Sequence, residues 1–378
     1  MDKVSMRIVL TGGPGGGKSD GLAYLKEALK PHGIRMCISH EVASQVIGGG
    51  VDDLPMLRKT SPKTYWNVQK EIFRRQLEDI ERNERLAACF TDSHCVVKKF
   101  DRGVSDNAAY LDDKEFIKLC GQFGKTPAGY RMLYDAVIYL RTAAYGAEHA
   151  YTTENNKSRY EKDPKDARQT CDRTLQSWTG HPNLWIIPSY PTPEEKFARL
   201  TKVVLHVLGI PKKLEIERKY LLNRIPRCLG NSVYKVTSQI EQTYLLPSIE
   251  GKARVRKETQ DGTTWYTLTC KTPVKAGSNL VRNQPEREIS AESYAELLHW
   301  RDVDRRTVKK FRHYFAANNR YWVIDELLEP AKVIFMETEF VDPTERITLP
   351  SFVRDAEDVT DNPRYSTRAI AKRGLPKK

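Results

Sequence analysis

The hydrophobic run Arg7-Ile-Val-Leu-Thr gives way at Gly12 to Gly-Gly-Pro-Gly-Gly-Gly-Lys-Ser, and a helical stretch from about Asp20 to Lys30 follows. The spacing G-x-x-x-x-G-K-[ST], set between a strand and a helix, constrains the start of this chain more than any other feature. Glycines let successive peptide N–H groups turn toward a phosphate, and the helix that follows aims the positive end of its dipole at the same point. Gly12, Gly13, Pro14, Gly15, Gly16 and Gly17 are therefore the candidate cradle. Lys18 is the candidate for the β- and γ-phosphates, and Ser19 for Mg²⁺. An ordinary glycine turn with an exposed lysine is the minor alternative. The ligand expected is ATP or GTP, and the spacing does not choose between the bases.

The 378 residues are too many for one core and suggest two domains. Up to Ile210-Pro211, short apolar runs alternate with helical stretches: Ile34-Arg-Met-Cys-Ile, a long helix through Tyr65 to Arg82, Cys95-Val-Val, Asp135-Ala-Val-Ile-Tyr-Leu and Leu184-Trp-Ile-Ile-Pro. That rhythm implies right-handed βαβ units, hence an α/β domain of three layers around a parallel sheet over residues 1–210. Beyond 210 the helical period fades and strand-like runs succeed one another from Leu214 to Phe340, with Ala291 to Arg301 the one clear helix. Residues 211–378 are expected to form an antiparallel sheet closed on itself as a β-barrel. The terminal Lys372-Arg-Gly-Leu-Pro-Lys-Lys reads as a frayed tail.

Hydrophobic residues at 39% and charged residues at 29% are the composition of a globular protein, which excludes coiled coil, collagen and wholesale disorder. Seven cysteines, widely spread and without a CxxC, point to reduced structural thiols. No apolar run reaches the length of a membrane span and no signal-peptide pattern opens the chain, so the expected location is cytoplasmic, with peripheral attachment to membranes as a variant. The net charge of +13 divides as +5 over residues 1–210 and +8 over residues 211–378. Both parts lean toward anionic partners: nucleotides, polyphosphate, nucleic acid or acidic lipid headgroups.

After Cys95-Val-Val-Lys-Lys-Phe comes Asp101-Arg102-Gly103. A strand ending in Asp-Arg at the carboxyl edge of the sheet resembles the P-loop nucleoside and nucleotide kinases, in which that carboxylate faces the acceptor hydroxyl or metal. Asp101 is on this ground a candidate catalytic residue, and Glu41, at the end of the second strand, approaches the same crevice. An N-cap or a surface ion pair is the plain alternative for each. The polar stretch between Arg141 and Arg173 offers Arg159, Arg168 or Arg173 for a basic lid over the phosphoryl group, with Arg159 the one named for nucleotide binding.

The later strands carry charge with a period of two. Glu215, Glu217 and Lys219 share one face of a strand, as do Arg254 and Arg256, Glu286 and Glu288, Lys310 and Arg312, and Glu337 and Glu339; Lys271 closes one strand and Asp325 lies in another. One such strand is ordinarily half-buried with its charged face in water. Several in succession, of both signs, suggest charged faces turned inward around a polar tunnel, in which cations neutralise a polyphosphate and carboxylates hold bridging divalent ions.

Glu215-x-Glu217-x-Lys219, the paired arginines, the Lys-x-Arg pair, the late Glu-x-Glu and the ending Asp358-Val-Thr-Asp-Asn-Pro-Arg-Tyr365-Ser resemble the CYTH domain of triphosphate tunnel metalloenzymes, over about residues 212–370. The resemblance implies an eight-stranded tunnel in which Glu215, Glu217, Glu337 and Glu339, with Asp325 beside them, bind Mg²⁺ or Mn²⁺. It implies also that Lys219, Arg254, Arg256, Lys271, Lys310 and Arg312 bind the triphosphate, and that Glu215, Glu217 and Lys219 serve catalysis. A P-loop domain ahead of a CYTH domain is similar to the TRPL translocation defect protein family, whose members look like nucleotide-dependent trafficking proteins that bind GTP and acidic phospholipid.

Two functions follow. One is a P-loop nucleotide-binding protein whose tunnel binds and hydrolyses inorganic triphosphate or another polyphosphate with divalent metal, a triphosphatase or nucleotide hydrolase with kinase-like features. The other is a nucleotide-regulated binding or trafficking module whose basic half holds acidic phospholipid without hydrolysis. Nucleic acid ranks below both, because the aromatic motifs of known nucleic-acid modules are missing.

Overall fold

The computed structural model describes residues 4–51, 53–93, 95–146, 163–210, 214–247, 252–273, 281–283 and 286–376. Of residues 4, 214–215, 271–273 and 281–283 it describes the backbone only. Two compact units divide between Val204 and Leu205.

In the first unit, strands β1 (Val4–Gly12), β2 (Ile34–Ser39), β3 (Cys95–Asp101), β4 (Ala136–Leu140) and β5 (Leu184–Ile187) form a parallel sheet in the order β2-β3-β1-β4-β5. The helices that connect or follow them are α1 (Lys18–Leu29), α2 (Val42–Gly48), α3 (Leu54–Thr60), α4 (Pro62–Ala88), α5 (Asp113–Gln122), α6 (Pro127–Arg131), α7 (Pro164–Trp178) and α8 (Pro193–Leu208). The chain moves one way across the sheet from β1 to β2 and returns from β2 to β3. Right-handed crossovers therefore put α1 and α4 on opposite faces. Every residue of β3 and of β4 is buried, as a strand covered on both sides must be. The sheet order reverses between β1 and β3, and the turn after β1 opens at that switch point, where α/β sheets bind their ligands.

The second unit is antiparallel. It comprises β6 (Leu214–Leu222), β7 (Lys235–Tyr244), β8 (Lys252–Gln260), β9 (Thr263–Pro273), β10 (Val281–Asn283), β11 (Glu286–Ile289), β12 (Val308–Ala317), β13 (Arg320–Glu329), β14 (Val333–Glu339) and β15 (Ala356–Asp358), with helices α9 (Ala291–Leu297) and α10 (Thr367–Arg373). Strand pairing runs β6-β14-β13-β12-β7-β8-β9, and β10 pairs with β6 through Val281–Asn283 and with β9 through Arg282 and Asn283. One side of the sheet packs Tyr220, Leu222, Phe315, Trp322, Ile324 and Met336 into an apolar cluster. On the other side Tyr244, Val308, Leu327 and Phe335 meet Ile370 and Ala371 of α10. The expected frayed end is thus corrected as far as Arg373. Ile370 and Ala371 bury an apolar stripe, Ser366 caps the helix by accepting from the Ala369 N–H at 3.2 Å, and Lys372 and Arg373 form its last turn. The expected helix over Ala291 to Arg301 stays α-helical only to Leu297 and tightens into a 3₁₀ turn over Leu298–Trp300.

Candidate functional site

The turn after β1 is held open by what its glycines cannot be replaced with. At Gly12, φ is +147°, and a Cβ there would stand 2.1 Å from the Leu140 carbonyl oxygen; one at Gly13 would stand 2.6 Å from Cys171 Cβ. The carbonyls of Pro14, Gly15 and Gly16 are turned away into the protein. Thr142 Oγ1 donates to the Pro14 carbonyl, the Ala143 N–H to Gly15 O at 3.2 Å and Lys196 Nζ to Gly16 O at 2.9 Å. Anchoring three successive carbonyls outward turns the opposite, N–H edge of the loop toward an anion, although the Gly16 N–H itself donates to Gly13 O at 3.2 Å. Lys18 curls back over the turn, its Nζ 3.5 Å from Gly12 O and 3.4 Å from Gly13 O. Burial lowers the Lys18 pKa and the nearby Arg102 guanidinium lowers it further, against the pull of Glu41, Asp101 and Asp106. Ser19 is exposed in the first turn of α1.

Carboxylates and cations gather around that turn. Arg102, in the left-handed region at φ 65°, donates from Nε to Glu41 and lies 3.4 Å from Gly12 O through its Nη1. Burial raises the Glu41 pKa, but Arg102, Lys18 and a 2.7 Å hydrogen bond from Ser44 outweigh it and hold the group at about 2. Asp106 accepts from Thr11 Oγ1 at 2.6 Å, Trp178 Nε1 at 2.8 Å and the Gly103 N–H at 2.9 Å, which makes it the clamp between β1, α7 and the turn after β3. Asp101 and Lys99 are both buried at the end of β3, with Lys99 Nζ 3.6 Å from Asp101 Oδ2. Burial lowers the Lys99 pKa to about 8. Asp101 Oδ1 and Lys99 Nζ have no hydrogen-bond partner among the described residues. Asp101 thus stands where β3 delivers it to the switch point, and Glu41 joins Arg102 as a pair. Of the lid candidates, Arg168 donates to Ala144 O at 2.6 Å and Arg173 to Leu111 O at 2.8 Å; Arg159 lies outside the described residues.

The second cluster runs across four neighbouring strands. Register places Lys219 of β6 opposite Glu337 of β14, and Arg312 of β12 opposite Asp325 of β13. Lys219 Nζ is 2.7 Å from Glu337 Oε1; Arg312 reaches Glu337 Oε2 at 3.6 Å and both oxygens of Asp325 at 2.7 and 2.8 Å; Lys310 Nζ also donates to Asp325. Asp325 is 2% exposed and Lys310 4%, so this charged face is not turned to water. Burial opposes ionisation of both acids, yet Arg312 and Lys310 hold Asp325 far below the ordinary carboxylate range, and Lys219 holds Glu337 below it. Burial and Arg312 lower the Lys310 pKa to about 7.

Arg256 of β8 is buried on the same side, its Nε without a hydrogen-bond partner among the described residues. Arg254 shares its face. Glu258, two residues on, accepts from the buried Tyr314 hydroxyl at 2.8 Å. Glu286 of β11 accepts from Thr269 at 2.9 Å. The side chains of Glu215 and Lys271 lie outside the described residues.

Asp325 and Glu337 are matched by the cations Lys310, Arg312 and Lys219. Glu217 and Glu339 stand directly opposite each other on β6 and β14, so that register brings two carboxylates to one face of the sheet. Among the described residues no group of three or more His, Cys, Asp or Glu could hold a metal ion. The sequence did not single out Lys99, Lys196, Glu258 or Tyr314, since a lone lysine or glutamate in an otherwise ordinary strand or helix carries no periodic signal.

A glycine loop between β1 and α1, with Lys18 over it and acidic residues at the switch point of a parallel sheet, defines a P-loop α/β domain. The chain belongs to the AAA domain family AAA_28, whose profile matches residues 7–196, half of the chain. No curated protein was found to match this sequence. Among solved structures, it is similar to the hypothetical protein NE1496, at 24% identity over 43% of this chain and 99% of that one, with a TM-score of 0.29. A structure described as the inorganic triphosphatase NE1496 is 21% identical over 43% and 97%, with a TM-score of 0.28. The deoxyadenosine kinase from M. mycoides with bound dATP is 14% identical over 53% and 98%, with a TM-score of 0.31. Among the described residues no helix is long and apolar enough to cross a membrane.

Proposed function

We propose that this protein binds a nucleoside triphosphate in its P-loop unit and a triphosphate or polyphosphate anion in a tunnel formed by its antiparallel unit. For the first unit the supporting observation is the loop whose carbonyls are tied outward while Lys18 folds over it. Ser19 supplies the hydroxyl for a magnesium ion that travels with the nucleotide, and Asp101 supplies a buried carboxylate with one unbonded oxygen at the same edge. For the second unit it is the burial of a mixed-charge face on β6, β12, β13 and β14. The pairing of β10 with both β6 and β9 supports a sheet that closes on itself into a tunnel. These features support the resemblance to triphosphate tunnel domains.

Lys219, Arg254, Arg256, Lys310 and Arg312 supply the positive charge for the anion, and Glu217 with Glu339 the donors for a divalent ion. A bound Mg²⁺ or Mn²⁺ would polarise a phosphoryl oxygen there. A second reading, retention of an acidic phospholipid headgroup without turnover, is favoured by one feature: Asp325 and Glu337 are engaged in ion pairs with Lys310, Arg312 and Lys219.

The test is phosphate release from inorganic triphosphate, ATP and GTP with Mg²⁺ or Mn²⁺, comparing wild type, Lys18→Ala and Glu217→Gln. Triphosphate turnover lost in Glu217→Gln alone supports hydrolysis in the second unit. Absence of triphosphate turnover, with tripolyphosphate or acidic vesicles still bound, supports the binding module. Failure of the wild type to bind ATP, GTP and tripolyphosphate removes both readings.

A further inference from the structure

The first turn of α8 grips the phosphate loop from behind with two consecutive side chains. Lys196 Nζ donates to Gly16 O at 2.9 Å and to Arg141 O, at the exit of β4, at 2.7 Å, and the residue is 7% exposed. Phe197 packs where the helix begins: a Cβ on Gly21 would meet its ring at 3.2 Å, and its centroid is 5.7 Å from that of Tyr24. Of the three donors that hold the Pro14, Gly15 and Gly16 carbonyls, Thr142 and Ala143 belong to the segment leaving β4, and only Lys196 comes from another element. Its two bonds tie the loop to the end of β4.

The choice of an ammonium here needs explaining, because a carbonyl is satisfied as well by a neutral donor. The charge is buried against two main-chain carbonyls. Burial lowers the Lys196 pKa to about 8, against an opposing pull from Cys171 and with Lys18 adding to the lowering. A buried cation facing neutral acceptors and another lysine is costly until an anion arrives.

We infer that Lys196 is a positioning residue for the nucleotide: it holds the Gly16 peptide with its carbonyl turned away from the phosphates and places a second buried positive charge behind the turn that Lys18 covers. The inference rests on the reading of the loop as a nucleotide site, and it assigns to α8 a role in recognising the β-phosphate rather than the base or sugar.

Lys196→Met in the full chain keeps the aliphatic bulk and removes donor and charge. Amide hydrogen exchange of residues 13–19 without nucleotide is measured first, then dissociation constants for ATP, ADP and AMP. The expected result is faster exchange across the loop in the variant, with ATP and ADP weakened tenfold or more and AMP changed less than threefold. Unchanged loop exchange overturns the inference whether or not nucleotide binds, and so does an equal loss for AMP, ADP and ATP, which marks a structural lysine only. A wild type that binds none of the three, and no GTP, overturns the nucleotide reading itself. Should Lys196→Met fail to fold, Lys196→Gln, which retains an N–H for one carbonyl without the charge, carries the same comparison.

Discussion

The Lys219 ammonium lies 2.7 Å from Glu337 Oε1 and 4.1 Å from the centre of the Phe335 ring, so one cation is matched both by a carboxylate and by an aromatic face on β14. The pair is directly opposed in the β6–β14 register and nearly closed to water. Arg312 adds a second cation to the same carboxylate at 3.6 Å. Breaking such a pair from one side leaves a buried charge without its partner, whereas removing both sides with apolar residues of similar size does not. Glu337→Ala should therefore destabilise the second unit by about 3 kcal/mol or more. The double change Lys219→Met, Glu337→Leu should cost less than the single one, read by urea unfolding. A double variant less stable than Glu337→Ala would show that the pair is not the unit of stability.

Glu41 gives the first unit an acid sensitivity with a defined sign. Its pKa is held at about 2, below the ordinary 4.5, chiefly by Arg102 and Lys18 acting against burial. A carboxylate depressed in the folded state contributes stability above its unfolded pKa and loses that contribution as pH falls through the folded value. Between about pH 4.5 and 2, wild type should lose up to about 3 kcal/mol that Glu41→Gln does not lose. Unfolding free energies measured down this range decide it; parallel curves for the two proteins would mean that the Glu41–Arg102 pair carries no net stabilisation.

The phosphate loop should tolerate less than other glycine turns. A Cβ at Gly12 would meet the Leu140 carbonyl oxygen at 2.1 Å, and main chain cannot step aside as a side chain can. At Gly33 φ is +67°, yet nothing lies within 4 Å of the added carbon. Gly33→Ala then carries only the left-handed backbone cost of about 1 kcal/mol. Gly12→Ala adds a clash that must move β4 or the loop, so it should lose ATP and GTP binding as well as stability. Calorimetric titration alongside thermal melting separates the two effects, and full nucleotide binding by Gly12→Ala would exclude the close approach described.

The parallel sheet, the loop and the charged strand faces were legible in the sequence because each is periodic or carries a rigid motif. Glu217, Lys219, Arg256, Lys310 and Arg312 were visible through alternation, and burial of Asp325 and Lys310 shows why the alternation is there. Lys196 was not, because Pro-Glu-Glu-Lys at a helix start reads as a solvated first turn. Lys98 and Lys99, adjacent in β3, point to opposite faces and are both buried, one against Glu84 at 2.7 Å and the other beside Asp101. A strand with two lysines gives no sign of which is paired. The three-residue strands β10 and β15 are too short to show a period, and α10 is defined by what Ile370 and Ala371 cover.

The basic residues on the buried face of the second unit should not contribute equally to anion binding. Lys219 is satisfied by Glu337, and Lys310 and Arg312 share Asp325, so each meets an incoming phosphate already partly neutralised. Arg256 is buried with its Nε unbonded among the described residues, and its charge is one of those that lower the Lys310 pKa. A buried guanidinium with an unbonded Nε–H gains most from a phosphate, since the anion supplies that donor with an acceptor. Arg256→Met should weaken tripolyphosphate binding at least tenfold, and more than Lys219→Met does, while lowering stability little or raising it. Titration with tripolyphosphate at fixed ionic strength, paired with urea unfolding of each variant, tests both halves of the statement. If Lys219→Met loses the greater share of affinity, the anion displaces the Lys219–Glu337 pair instead of docking on Arg256, and its place lies nearer β6 and β14.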